Sequence, residues 1–86
     1  MSNKKKIRGV KVVEKKLGRE NALGLCYKYN GLIEIDPRQD SKEYLDTLVH
    51  ELLHFYFPVA AEWRVDEVAH RIAAQIWKRQ FRRLQK

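Results

Sequence analysis

The segment His50-Glu51-Leu52-Leu53-His54 holds the residues of this chain best suited to chemistry. Histidines at positions i and i+4 of a helix lie one turn apart and point the same way. Two imidazoles so placed can reach one Zn²⁺ at about 2.0–2.1 Å from each nitrogen. Glu51 follows the first histidine and would project beside the metal. From there it can take a proton from a metal-activated water and return it to a leaving amine. Zinc would lower the pKa of that water to about 7 and polarise the carbonyl under attack. The expected chemistry is hydrolysis of a peptide bond, with His50 and His54 as ligands and Glu51 as general base. The competing reading is that so short a pattern arises by chance and the histidine pair is polar surface.

Two ligands are too few, because catalytic zinc usually takes three from the protein. Pro58 should break the chain between two roughly antiparallel helices. Glu62 lies as far after Pro58 as His54 lies before it, and Asp66 and His50 are related in the same way. Antiparallel packing would set Glu62 near His54 and Asp66 near His50. Glu62 is assigned as third ligand and Asp66 as the carboxylate that orients His50. The reverse assignment stays open. Glu67 points to the opposite side, and His70 is the weaker candidate for third ligand. The ordinary reading of both acids is an exposed helix start, where a carboxylate favours the local dipole.

The elements that must position these groups follow from patterning. Leu45, Leu48, Val49, Leu52, Leu53 and Tyr56 recur at i, i+3, i+4, i+7 and give the first helix one buried face. Asp40 can cap it, with Glu43 completing a capping box. The histidines lie off the centre of that stripe and so face a cleft. A second helix should run from about Ala60 into the basic end, burying Val65, Val68, Ala69, Ile72, Ala73 and Ile76. Upstream, Leu23–Tyr29 and Leu32–Asp36 flank Asn30-Gly31, a strong signal for a two-residue hairpin loop. That loop sets Lys28 opposite Ile33 and Cys26 opposite Ile35, with Cys26, Ile33 and Ile35 on one face. Residues 7–13 read as a further strand, and residues 14–17 as its continuation or a short helix. The expected fold class is α+β: a small antiparallel sheet, strand plus hairpin, packed on an active-site helix and a C-terminal helix.

Gly24-Leu25-Cys26-Tyr27, then Leu32 to Pro37, then Asp46 to Pro58 resemble the small zincin-like metallopeptidases common in phages and prophages. These are loosely akin to the SprT-like and ImmA/IrrE-like groups, and the resemblance covers roughly residues 7–80. The spaced acids Glu62 and Asp66 also resemble the Glu-x-x-x-Asp of thermolysin-like enzymes. There the Glu is the third ligand and the Asp contacts the first histidine, although the stretch from His54 to Glu62 is much shorter here. The glycine-containing extension of metzincins is absent. The resemblance implies a zinc cofactor, a protein or peptide substrate, and an edge strand that pairs with extended substrate. Leu32–Asp36 would be that strand, or would simply support the helix.

The chain has 86 residues, which suits one domain over residues 7–86 behind a disordered basic tail at 1–6. Its formal charge of +7 favours acidic partners. Lys78, Arg79, Arg82 and Arg83, interleaved with Trp77 and Phe81, are candidate nucleic-acid contacts, although a solvated helix end reads the same way. A rival function is therefore a basic phage protein that binds nucleic acid or a protein partner, with zinc structural or absent. The lone Cys26 excludes an internal disulfide and fits a reducing cytoplasm. The basic N-terminus has no apolar region behind it, as a signal peptide would, and no stretch nears the roughly 20 apolar residues of a membrane helix.

Overall fold

The computed structural model describes residues 9–20 and 22–79. Three short strands, β1 (Lys11–Glu14), β2 (Gly24–Tyr27) and β3 (Leu32–Ile35), precede two helices, α1 (Ser41–Tyr56) and α2 (Glu62–Lys78). A 3-10 turn at Gly18–Glu20 lies between β1 and β2. The α+β class is as the patterning requires. The expected tail over residues 1–6 lies outside the described residues. Among the described residues no helix is long and apolar enough to cross a membrane.

The sheet is mixed, not antiparallel as expected. Its order is β1-β3-β2, with β1 parallel to β3 and β2 antiparallel to it. The reason is burial. Ile33 and Ile35 of β3 are fully buried, and the most apolar strand takes the middle position, paired on both sides. β1 and β2 run in opposite directions, so inserting β3 between them makes one pairing parallel. Residues 14–17 are not a helix: Glu14 ends β1, and the Lys15 N–H continues the pairing to the Ile35 carbonyl at 3.0 Å.

The hairpin register also differs from the expected one. Tyr27 pairs with Leu32 and Cys26 with Ile33, so the loop is Lys28–Gly31 and not Asn30-Gly31 alone. The Asn30 N–H donates to the Tyr27 carbonyl at 3.1 Å, and Gly31 takes φ +62°. A turn followed by one left-handed glycine closes the hairpin. The slip is two residues, so Cys26, Ile33 and Ile35 still share a face.

That face packs on α1. Ile33, Ile35, Tyr44 and Phe55 form a buried cluster, with Val10, Cys26, Leu48 and Leu52 against it. A second cluster joins α1 to α2 through Val49, Ala69 and Ala73, flanked by Leu45 and Leu53. Helix α1 thus buries two faces, not one stripe: Tyr44 and Phe55 are buried, whereas Tyr56 is exposed. On α2, Val68 and Ile72 are likewise more exposed than the pattern implied. The Asp40 side chain caps α1 by accepting from the Glu43 N–H at 2.9 Å. The alanines at 69 and 73 let the two helices approach closely, which brings the first turn of α2 beside the histidines of α1.

Candidate metal centre

His50 and His54 stand on the same side of α1, half-buried, with Nε2 atoms 3.0 Å apart and rings 69° to one another. Opposite them Glu62 begins α2, where the positive end of the helix dipole favours a carboxylate. One oxygen of Glu62 lies 3.0 Å from His54 Nε2, the other 3.3 Å from His50 Nε2. Asp66, one turn further on, sets Oδ1 3.1 Å from His50 Nδ1. With Nδ1–H donating to that carboxylate, a neutral His50 keeps its lone pair on Nε2, the atom facing Glu62 and His54.

The donor set fits a zinc ion. One ligand atom each from His50, His54 and Glu62 lies within 4.8 Å of the others. Two imidazole nitrogens and a carboxylate oxygen are a known catalytic set that leaves a position open. His70 is not brought to this cluster; its Nδ1 lies 3.9 Å from Asp46 Oδ2, and the ring is exposed. Glu67 faces away, paired with Arg71 at 3.1 Å. Lys78 and Arg79 are exposed at the end of α2, while Arg82 and Arg83 lie outside the described residues.

Glu51 is the one buried carboxylate of α1. Burial pushes its pKa up; the two histidines pull it down, and the Glu62 carboxylate raises it. Its side chain runs under β2 toward Gly24. A Cβ built on Gly24 would lie 2.8 Å from Thr47 Cγ2, 3.0 Å from Glu51 Cγ and 3.2 Å from Glu51 Oε2. Only a residue without a side chain fits there. Beside it opens a groove of about 300 Å³ lined by Leu23, Gly24, Asp46, Thr47, His50 and Glu51.

Sequence patterning gives no role to Gly24 itself, and of the two readings of Leu32–Asp36, a substrate-pairing edge strand or plain support for the helix, the structure fits the second. β3 is the central strand and has no free edge. The edge beside Glu51 belongs to β2. The available signal was a lone glycine inside an apolar strand, which marks close approach by another group. Gln39 was also overlooked. Buried, it accepts from Thr47 Oγ1 at 2.6 Å and donates to the carbonyls of Asp36 at 2.9 Å and Leu23 at 3.3 Å. It ties the start of β2 to α1 one turn ahead of Glu51. Burial pushes the thiol pKa of Cys26, on the same strand, upward, and the Glu51 charge adds to the shift.

The family model described as the IrrE N-terminal-like domain of Peptidase_M78 matches residues 5–75. The chain belongs to this family. The match takes in every strand, all of α1 and the part of α2 that carries Glu62 and Asp66. The family is a peptidase family of the zinc-dependent type, which agrees with the donor set described above. No curated protein and no solved structure gave a match.

Proposed function

We propose that this protein is a zinc-dependent peptidase that cuts a peptide bond in a polypeptide laid along β2. The observation that carries the reading is the convergence of His50, His54 and Glu62 beside a buried carboxylate, Glu51. His50, His54 and Glu62 would hold the ion, and Asp66, 3.1 Å from His50 Nδ1, orients that ring so that Nε2 faces inward. Bound there, zinc would acidify water and polarise the scissile carbonyl. Glu51 accepts the proton of the attacking water and delivers it to the departing amine. Gly24 leaves the room in which that carboxylate sits. Among the described residues β2 pairs only with β3, so its other edge can take an extended chain by backbone hydrogen bonds.

The test is Glu51→Gln, which keeps the size and removes the base. Zinc content and folding should stay close to wild type, because Glu51 is outside the donor set. Cleavage should fall by about 10²–10⁴-fold, the usual contribution of general acid–base catalysis. Substrate can be found by comparing new protein N-termini in cells expressing wild type and variant. Equal cleavage by both would end the assignment of Glu51, and a wild type that loads no zinc would end the proposal.

A further inference from the structure

The side of α2 away from the histidines carries a second feature, independent of the peptidase reading. A groove of about 180 Å³ runs between the helices, lined by Leu53, Phe57, Ala60, Arg64, Val65 and Val68. Phe57 is 59% exposed and Val68 36%. One turn beyond Val68, Ile72 is 39% exposed and extends the apolar strip along α2. At 100° per residue, Val68 and Ile72 lie roughly 120–160° around the helix from Asp66. An occupant of the groove would therefore leave the histidine cleft open. An apolar groove between two helices has the shape that accepts the apolar face of an amphipathic helix.

Charge says what kind of partner fits. Arg64 forms the rim. Its guanidinium lies 5.9 Å over the Trp63 ring, and among the described residues no carboxylate pairs with it. Along the same flank Arg71 and Lys78 follow at helical spacing, Arg71 already paired with Glu67 at 3.1 Å and Lys78 exposed at the helix end. From Val68 to Lys86 the chain has six bases (Arg71, Lys78, Arg79, Arg82, Arg83, Lys86) and no acid. A second copy docked by two-fold symmetry would set this basic flank against itself, which like-charge repulsion opposes. Nucleic acid would use the bases but leave Phe57, Val68 and Ile72 uncovered, since phosphate contact is purely electrostatic. A helix with an apolar stripe bordered by Asp and Glu satisfies both the groove and its rim.

We propose that this groove docks an acidic amphipathic helix of a partner protein. The apolar stripe of the partner fills the space between Leu53, Phe57, Val65 and Val68, and its acids meet Arg64 and Lys78. Such a contact would hold a partner on one face of the protein while the opposite face stays free for chemistry.

The test uses the full chain, isotope-labelled, and a synthetic helix of about 18 residues with leucines at i, i+3, i+4, i+7 and glutamates beside them. The expected result is binding that weakens with salt, with resonance shifts centred on Leu53, Phe57, Val65 and Val68. Val68→Asp should weaken it about tenfold or more, the scale of a central interface residue. Arg64→Glu should weaken it too and should gain binding to the same helix carrying lysines in place of glutamates. That charge swap separates a real rim contact from a misfolded variant. The proposal fails if the lysine helix binds wild type equally well, or if the shifts fall elsewhere. It also fails if short duplex DNA displaces the peptide from these residues, which would point to nucleic acid. Self-association abolished by Val68→Asp would overturn it in favour of a second copy.

Discussion

Zinc should raise the melting temperature of this protein by an amount that depends on Glu62 and Asp66 but not on Glu67. A ligand that binds only the folded chain, at a free concentration 100 times its Kd, stabilises it by about 2.7 kcal/mol. For a domain of this size each kcal/mol moves Tm by about 4–8 °C, so the wild-type gain should be about 10–20 °C. Glu62 touches both histidines, at 3.0 and 3.3 Å, and supplies the only carboxylate of the donor set. Glu62→Ala should raise Kd by more than the 10–100-fold that loss of an outer partner costs. At the same free zinc the remaining gain should then be below about 0.4 kcal/mol, or a few degrees at most. Asp66 contacts only the far nitrogen of His50. Asp66→Ala should follow the 10–100-fold rule and keep about 0.4–1.4 kcal/mol of the zinc effect. Glu67 is tied to Arg71 on the exposed side, and Glu67→Ala should keep nearly all of it. The assay is thermal unfolding of each variant, apo and at fixed buffered zinc. Equal zinc shifts in the Glu62 and Glu67 variants would refute the placement of the third ligand. A wild type whose Tm ignores zinc would refute the site itself.

Three further outcomes follow from the packing. Gly24→Ala should destabilise the fold by about 1–3 kcal/mol, the usual cost of overpacking, seen as a lower Tm. Zinc content should hold, but cleavage should drop about 10²-fold if Glu51 is displaced by about 1 Å; wild-type Tm and cleavage would count against the close contact. Ala69→Leu, at a position 1% exposed between the helices, should also cost about 1–3 kcal/mol. By pushing α2 outward it should weaken zinc binding measured against a chelator, whereas unchanged affinity would show that helix spacing does not set the site. Asp36 accepts from both nitrogens of the Arg38 fork and from the Leu17 and Arg38 N–H groups, which hold its pKa well below the usual carboxylate range. Its stabilisation is complete above the unfolded value of about 3.9 and fades as pH falls toward the depressed folded value. Asp36→Asn should therefore lower Tm at pH 7, and the gap should close on acidification below about pH 4; a gap constant with pH would assign it to packing instead.

What could be read from the sequence is what depends on neighbours in the chain. The spacing of His50 and His54 fixes their common direction as soon as the segment is helical. The Asp40 cap and the Pro58 break bound that helix using local backbone chemistry alone. A short break also makes the next helix antiparallel, which is why Glu62 and Asp66 could be matched to His54 and His50 by counting outward from Pro58. The faces of the hairpin were legible too, because the alternation of Cys26, Ile33 and Ile35 survives a register slip of two.

Only the tertiary structure decided the order of the strands. Whether β3 lies at the edge or between β1 and β2 depends on which strand α1 covers, a contact between segments far apart in the chain. That choice makes one pairing parallel and, among the described residues, leaves β2 with the unpaired edge beside the site. It also sets Gly24 over Glu51, so the need for a missing side chain at residue 24 arises from a residue 27 positions later. The same cause explains Tyr44 and Phe55. A helix placed between a sheet and a second helix buries two faces, and a single apolar stripe cannot say which other residues will be covered.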